Sequence, residues 1–209
     1  EGDRGPNTAG MGAYCPTTLV DKDMLDQIQD YVLSPVVKGF QQEGINYRGV
    51  LYAGLMITES GPKVLEFNCR FGDPETQTVL PLLKNDLLDL LIAAVGGKLA
   101  SAGKLDWRTE HAACVVMASK GYPGRYQTGK RITGLQDIND SQTQVFHAGT
   151  SLKGTAVVTA GGRVLNVVAT DKSLPTALTR AYRAVQKIRF DGAYYRRDIG
   201  SRVLKSPRR

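Results

Sequence analysis

Apolar positions in the first half of the chain predict two helices. From Asp21 they recur at three- and four-residue spacing, which indicates a helix that runs to about Gln42. Pro35 falls inside this pattern and is expected to kink or interrupt the helix, because proline lacks a backbone N–H group. A second, shorter helix is predicted at 86–95, with Asp86 as a capping residue at its start.

Two extended stretches lie between these helices. The apolar run 48–58 indicates a buried strand, and residues 63–69 indicate a second strand. Ser60-Gly61, a turn signal followed by Pro62, separates them. The two strands are therefore expected to form a hairpin.

The second half of the chain is rich in short strands. Gly161-Gly162 has the signature of a two-residue hairpin turn. A helix with Ser173 as its N-cap is expected at 173–188. The predicted strands are 111–119, 143–150, 155–160 and 163–170.

A loss of periodicity at 98–109 indicates a domain boundary. We therefore predict one domain at 1–103 and a second at 104–209. Because the second half combines antiparallel strands with one amphipathic helix, the fold class is predicted to be α+β.

Composition and charge narrow the possible functions. The hydrophobic content of 42% and charged content of 22% are those of a globular protein. The net charge of +7 is concentrated in part near the carboxyl terminus, from Arg196 onward, but no nucleic-acid recognition motif accompanies it. We predict no nucleic-acid partner and, because no apolar run approaches about 20 residues, no membrane span.

The cysteines and the start of the sequence indicate where the protein acts. Cys15, Cys69 and Cys114 are widely spaced, and neither their number nor their spacing fits a disulfide framework or a metal site. With no secretory leader visible, the cytoplasm is the predicted location.

The most informative stretch is VLEFNCRFGDPETQ, residues 64–77. Because side chains alternate along a strand, Glu66, Asn68 and Arg70 should share one face. The facing strand is apolar on both faces, so this face is expected to lie in an enclosed cleft; an ordinary solvent-exposed face is the alternative.

These residue types suit phosphoryl-transfer chemistry. A carboxylate and an amide oxygen, from Glu66 and Asn68, form a pair of hard ligands for Mg²⁺ (or Mn²⁺), which commonly takes only one or two protein ligands beside phosphates. Arg70 offers a planar guanidinium for phosphate. Asp73 and Glu75 follow in the next turn. The pattern predicts a site for a metal-bound nucleotide.

The chain resembles the phosphoribosylamine–glycine ligase (glycinamide ribonucleotide synthetase) family of the ATP-grasp superfamily. The resemblance extends over essentially the whole sequence, in one consistent order of motifs. These motifs are GPNTAGMGAYCP, VLYAGLMIT, EFNCRFGDPETQ, KGYPG, FHAGT, GGRVLNV and YRRDIG.

The resemblance implies a reaction and a fold. Members of this family join glycine to 5-phosphoribosylamine at the expense of ATP, through glycyl phosphate, in purine synthesis. The implied architecture is the second half of an ATP-grasp fold followed by a small antiparallel-sheet domain. The amino-terminal part that the family would require should precede Glu1, so the chain alone is expected to bind ATP poorly and to be inactive.

The resemblance also implies roles for individual residues. Glu66 and Asn68 correspond to the magnesium ligands, and Arg70 to the arginine that stabilises the acyl phosphate. Asp73 is a candidate catalytic residue that could also hold the amine of a substrate; the alternative is a turn residue that caps its own backbone. Glu75 is expected to be structural.

The glycine-rich start of the chain is expected to line the substrate site. Asp3, Asn7 and Thr8 are the candidate substrate-binding residues. Ala9 stands where the family pattern has glycine; if that position requires a positive φ, alanine costs about 1 kcal/mol there. His111 and His147 have no acidic or cysteine neighbour in sequence and are predicted to be structural.

Two other readings remain open from the sequence. One is another ATP-grasp carboxylate–amine ligase with different substrates, although FHAGT and YRRDIG speak against it. The other is a non-catalytic basic module that binds an anionic partner.

Overall fold

The computed structural model describes residues 1–2 and 4–205. Nine strands and six α-helices occur in these residues, and they are numbered in chain order. The strands are β1 (Gly12–Cys15), β2 (Tyr52–Thr58), β3 (Gly61–Asn68), β4 (His111–Ser119), β5 (Thr143–His147), β6 (Thr150–Lys153), β7 (Ala156–Thr159), β8 (Arg163–Asp171) and β9 (Ala193–Tyr194). The helices are α1 (Lys22–Ile28), α2 (Ser34–Gln42), α3 (Glu75–Val79), α4 (Leu87–Val95), α5 (Leu174–Val185) and α6 (Ser201–Lys205).

The chain forms two compact units that are discontinuous in sequence. The first unit contains 1–16, 73–82 and 108–209, and the second contains 17–72 and 83–107. The predicted division into 1–103 and 104–209 concerns consecutive domains and stays a prediction. The units differ from it because the amino-terminal segment and the 73–82 segment pack with the carboxyl-terminal half.

The first unit is built on an antiparallel sheet with strand order β1-β4-β8-β5, and β9 pairs with the end of β4. Strands β4 and β8 are the longest, with nine residues each, and 14 of these 18 residues are buried. Strands β6 and β7 form a separate two-stranded sheet. The predicted α+β class is confirmed.

Alternation along β4 and β8 divides the core into two layers. One layer contains Val115, Met117, Leu165 and Val167 and is continuous with buried residues of α5. The other contains Cys114, Val116 and Val168, together with Met11 from the amino-terminal segment. Each fully buried side chain of this size contributes about 1.5–3 kcal/mol to the free energy of unfolding. The two layers of this sheet are therefore a main source of the stability of the first unit.

Helix α5 begins where the sequence predicts. The Ser173 hydroxyl accepts a hydrogen bond from the Thr176 backbone N–H, and Pro175 occupies the first turn, where a missing N–H group costs nothing. Its apolar stripe faces the sheet; the buried members are Leu174, Ala177, Leu178, Ala181, Ala184 and Val185.

The second unit starts with an interrupted helix. Asp21 caps α1 by accepting from the Met24 N–H group. A π-helical segment, Gln29–Leu33, then joins α1 to α2 immediately before Pro35. The predicted interruption is confirmed, and it takes the form of a π-bulge, which lets the chain continue past a residue that cannot donate a backbone hydrogen bond.

The second unit also contains the predicted hairpin of β2 and β3 and the predicted helix α4. The Asp86 carboxylate accepts from two backbone N–H groups in the first turn of α4, as expected of an N-cap. Gly97 follows the helix with φ of 67°, a conformation that glycine adopts without steric cost.

The predicted hairpin at Gly161-Gly162 is wrong. Strand β7 pairs with β6, whereas β8 pairs with β4 and β5. The glycines serve a close backbone approach instead: a Cβ atom at Gly149 would lie 2.6 Å from the Gly161 Cα atom. The Ala160 N–H group donates to the Gly149 carbonyl, which fixes this crossing.

The enclosed cleft predicted at the Glu66 and Asn68 face of β3 is not found among the described residues. Leu65 is 64% exposed and Phe67 39% exposed, and Glu66 on the other face is exposed as well. The sheet to which they belong has two strands, so it lacks the further layers that would bury either face. No helix in the described part of the chain combines the length and hydrophobicity needed to cross a membrane.

Candidate functional site

Glu66 and Asn68 meet as the alternation of β3 predicts. The Asn68 side-chain Nδ2 donates to Glu66 Oε1 at 2.9 Å. Gly54 of β2 is paired with Glu66, and the ladder shifts register directly after it. A Cβ atom at Gly54 would lie 3.1 Å from Glu66 Cγ, so the glycine leaves room for the glutamate at this bulge.

This pair fits a hard divalent cation. The hydrogen bond uses the amide nitrogen of Asn68 and one carboxylate oxygen of Glu66, so the amide oxygen and the second carboxylate oxygen are available as ligands. Among the described residues there is no cluster of three or more His, Cys, Asp or Glu side chains suited to a metal ion. A cation held here would therefore depend on phosphate and water for most of its ligands, as Mg²⁺ commonly does.

Arg70 lies outside the strand. β3 ends at Asn68, because its partner Tyr52 is the first residue of β2. The exposed Arg70 side chain donates from Nη1 to the Phe71 carbonyl at 2.9 Å. β3 contains Glu66 and Asn68 but not Arg70, so alternation along the strand applies only to the first two. The role of Arg70 as a phosphate ligand stays a prediction.

Asp73 belongs to the first unit and is held by side chains. Its Oδ2 atom pairs with Arg163 Nη2 at 3.2 Å. Its Oδ1 atom accepts from Gln77 Nε2 at 3.2 Å and from Asn166 Nδ2 at 3.5 Å. These contacts across the fold distinguish Asp73 from a turn acid that only caps its own backbone, which was the alternative interpretation.

The glycine-rich segment, residues 4–10, contains two of the three predicted substrate residues. Asn7 is exposed, and its Oδ1 atom accepts from the Thr8 N–H group at 3.1 Å; Thr8 is half-buried. The Ala9 N–H group faces the Tyr122 hydroxyl at 3.4 Å. Asp3, the third predicted residue, lies outside the described residues.

Arg163 is the residue that sequence analysis missed. Its guanidinium donates to the backbone carbonyls of Ala9, Gly10 and Asp73, besides its ion pair with the Asp73 carboxylate. The sequence shows only an arginine beside two glycines. No local signal indicates its role, because its contacts lie 90 to 154 residues away along the chain.

Polar groups beneath Asp73 are buried in an otherwise apolar layer. Asn166 is 1% exposed, and its Oδ1 atom has no hydrogen-bond partner among the described residues; the same holds for Gln77 Oε1. Burial, with smaller contributions from Asp73 and Glu75, raises the pKa of the nearby Cys114 thiol to about 12. Cys114 is therefore an inert packing residue at neutral pH.

The structure shows no contact of either histidine with the Glu66–Asn68 pair or with Asp73 among the described residues. His147 is exposed, and its Nδ1 atom lies 2.9 Å from the Thr150 hydroxyl. His111, the first residue of β4, is half-buried.

At the basic end of the chain, Arg196 forms a bidentate ion pair with Asp198, from Nε and Nη2. This guanidinium holds the pKa of the Asp198 carboxyl well below its usual range. Arg208 and Arg209, the last residues of the basic cluster that begins at Arg196, lie outside the described residues.

Comparisons with known proteins place this chain in one family. Residues 1–76 match the family profile described as "Phosphoribosylglycinamide synthetase, ATP-grasp (A) domain", and residues 112–202 match "Phosphoribosylglycinamide synthetase, C domain". The two matches together cover more than half of the 209 residues.

Curated relatives carry ligase names. The chain is 53% identical over 205 residues to phosphoribosylamine–glycine ligase from Synechocystis sp., a match that covers 98% of this chain and 49% of the relative. It is also 53% identical to the human trifunctional purine biosynthetic protein adenosine-3, of which it covers 20%. The chain thus spans about half the length of the single-function relative and one fifth of the trifunctional one.

Solved structures agree. The crystal structure of phosphoribosylamine–glycine ligase from Thermotoga maritima superposes with a TM-score of 0.82 at 36% identity, covering 95% of this chain and 48% of that one. The N5-carboxyaminoimidazole ribonucleotide synthetase of Thermotoga maritima, at 15% identity and a TM-score of 0.59, shares the fold. With both domain profiles and relatives of high identity in agreement, the chain belongs to the phosphoribosylglycinamide synthetase family of ATP-grasp proteins.

Proposed function

We propose that the full-length protein containing this chain ligates glycine to 5-phosphoribosylamine at the expense of ATP, which is converted to ADP and phosphate, in de novo purine synthesis. The observation that carries this proposal is the 53% identity over 98% of the chain to a protein named phosphoribosylamine–glycine ligase. Within that match, the hydrogen-bonded side chains of Glu66 and Asn68 support the proposal, because each would offer one oxygen to the metal ion that accompanies ATP.

The reaction proceeds in two displacements. A carboxylate oxygen of glycine attacks the γ-phosphorus atom of ATP, and the bond to ADP breaks, which gives glycyl phosphate. The amine nitrogen of 5-phosphoribosylamine then attacks the glycyl carbonyl carbon. The bond to phosphate breaks, the nitrogen loses a proton, and glycinamide ribonucleotide, ADP and phosphate result.

In this proposal the polar residues of the second unit act on the phosphates. Glu66 and Asn68 hold Mg²⁺ (or Mn²⁺), which when bound neutralises charge on the nucleotide. Arg70, exposed just beyond β3, offers a planar cation to the charge that develops on the acyl phosphate. Preorganised charge of this kind lowers barriers by roughly 3 kcal/mol per donor.

The residues of the first unit act on the amine and amino-acid substrates. The Asp73 carboxylate is fixed by Arg163 and two amides, so it can accept from a substrate amine without reorienting. Asn7 and Thr8 complete the proposed substrate contacts; the sequence also assigns Asp3, which lies outside the described residues.

The proposal includes the setting of the reaction. The chain would contribute the second half of the ATP-grasp domain, 1–103, and the carboxyl-terminal domain, 104–209. The part of the full-length protein that corresponds to the remaining length of the relatives would supply the rest of the ATP site. The protein would act in the cytoplasm and would not bind nucleic acid. The same fold occurs in ligases with other substrates, so an assay must distinguish the two readings.

The test is an assay of the full-length protein with ATP, Mg²⁺, glycine and 5-phosphoribosylamine. We expect one ADP per glycinamide ribonucleotide formed and no ADP without glycine. Without 5-phosphoribosylamine we expect at most one ADP per enzyme molecule, because the first displacement needs only ATP and glycine. Calorimetric titration of the 209-residue chain with Mg-ATP is the companion measurement, in which we expect weak binding or none. Turnover with a different carboxylic acid or amine, and none with these substrates, would overturn the proposal.

A further inference from the structure

We propose that Arg163 is a positioning residue of the first unit. It would hold the glycine-rich segment and the Asp73 segment, residues 73–79, in register, and so set the affinity for the amine and amino-acid substrates without contacting them. The inference rests on the proposed function for the identity of those substrates. The clamp itself rests on geometry within one compact unit.

One guanidinium group serves four acceptors on two segments. Arg163 Nη1 lies 2.9 Å from the Ala9 carbonyl oxygen, 3.3 Å from that of Gly10 and 2.6 Å from that of Asp73. Nη2 pairs with the Asp73 carboxylate. Because the two segments are separated by more than 60 residues in sequence, no local turn explains their alignment.

The base of this clamp is rigid. Arg163 is the first residue of β8, and the backbone around it is fixed by the Gly149 N–H group, which donates to the Arg163 carbonyl at 2.9 Å. Its side chain is only 17% exposed, so the guanidinium is confined and partly shielded from water. Charge-assisted hydrogen bonds are strong under these conditions.

The two segments also touch directly. A Cβ atom at Gly10 would lie 2.7 Å from Pro74 Cδ, so the glycine-rich segment packs against the Asp73 segment without a spacer. Gly10 adopts φ of 103°, which directs its carbonyl toward Arg163 without the strain another residue would bear.

Loss of Arg163 should affect the two segments unequally. The Asp73 carboxylate would keep Gln77 and Asn166 as donors. For Ala9 and Gly10, Arg163 supplies the hydrogen bonds that the structure shows to their carbonyls. The segment carrying Asn7 and Thr8 would therefore lose these bonds and keep only the weaker one from the Ala9 N–H group to the Tyr122 hydroxyl and its packing against Pro74. Lysine cannot replace this arrangement, because a single ammonium lacks the planar fork that spans several acceptors.

The decisive experiment uses the full-length protein with Arg163→Lys and Arg163→Met. We expect the KM for glycine or for 5-phosphoribosylamine to rise about tenfold or more, since misplacement by about 1 Å can cost up to 100-fold, while the KM for ATP stays within about twofold. The matched controls are Arg180→Lys and Arg180→Met: Arg180 also pairs with two carboxylates, Asp140 and Asp171, and makes no contact with either segment in the described structure.

A second measurement separates this proposal from the proposed function. Amide hydrogen exchange on the full-length protein should speed up in the glycine-rich segment of Arg163→Met while β8 and α5 keep their protection. Arg163→Ala should show the same faster exchange, and added guanidinium should reverse it in this variant. If the full-length protein lacks the ligase activity, the proposed function fails and the exchange result still decides the clamp. Unchanged exchange and unchanged KM values, or equal loss in the Arg163 and Arg180 variants, would overturn the positioning role.

Discussion

The side chains of Asn68 and Glu66 are joined by a hydrogen bond of 2.9 Å, from an amide nitrogen to a carboxylate oxygen two residues away on the same strand. The bond orients the amide, because a carboxylate can only accept. The amide oxygen and the second carboxylate oxygen are thereby left as the free ligands of this strand face. A divalent cation bound on this strand face would take these two oxygens as ligands.

Replacement of Glu66 by Gln in the full-length protein should abolish most magnesium-dependent turnover. The amide keeps the size of the side chain but removes the charge that faces the cation, so several kcal/mol of charge stabilisation should be lost, roughly 100-fold or more in rate. The measurement is kcat as a function of Mg²⁺ concentration. Glu59→Gln, an exposed position in the turn of the same hairpin, is the control; equal effects at both positions would contradict the assignment.

Substitution of Gly10 by Ala should destabilise the first unit more than substitution of Gly5. Both glycines have positive φ, 103° and 96°, so both variants bear a similar backbone cost. An added Cβ atom would meet Pro74 Cδ at 2.7 Å in the first case and nothing within 4 Å in the second. We expect a difference of about 1–3 kcal/mol in the free energy of unfolding, measured by urea titration. Equal losses would show that Gly10 is not in close contact with Pro74.

Replacement of Asp198 by Asn should remove a pH-dependent part of the stability. The pKa of Asp198 is lowered in the folded state by Arg196, so its contribution is fully present above the ordinary aspartate pKa of about 3.9 and is lost as the pH falls through the lowered value. The wild type should therefore be more stable than the variant at pH 7, and the difference should shrink below about pH 4.

Unfolding titrations at pH 7 and at about pH 3 measure this difference. Asp26→Asn is the control, because its ion pair with Lys22 is exposed and is expected to contribute little. A gap between wild type and Asp198→Asn that stays constant over this range would contradict the prediction.

The three thiols should react with a disulfide reagent at very different rates. Cys69 is exposed, burial raises the pKa of the half-buried Cys15, and burial raises the pKa of Cys114 to about 12. At pH 8 about one Cys114 in ten thousand would be a thiolate, apart from its lack of access. We expect one rapid phase that Cys69→Ala eliminates, and reaction of Cys114 only at the rate of unfolding. A rapid phase that survives in Cys69→Ala would refute this ordering.

Local signals predicted the elements, and long-range contacts account for the errors. The caps at Asp21, Asp86 and Ser173 are read from residues within one turn, so α1, α4 and α5 begin where expected. Gly161-Gly162 looks like a hairpin turn locally, but its role depends on Gly149, which no short-range pattern reveals.

The candidate site residues also divide into those that local signals predict and those that depend on long-range contacts. The alternation of β3 brought Glu66 and Asn68 together, because a strand has a fixed side-chain period. The strand ends before Arg70, because the pairing begins at Tyr52 of the partner strand, so alternation does not determine the direction of that side chain. Arg163 could not be found from the sequence, because three of its acceptors are backbone carbonyls, which carry no sequence signature, and its ion-pair partner Asp73 is 90 residues away along the chain.

The pairing of β1 with β4 has a consequence for attempts to dissect this protein. Residues 12–15 form an edge of the sheet whose other strands come from the last hundred residues. A cut near residue 107 would produce two pieces, one with an orphaned strand and one with the unsatisfied backbone of β4 exposed, a surface prone to self-association. Protein engineers should therefore treat residues 1–16 as part of any carboxyl-terminal fragment they wish to express.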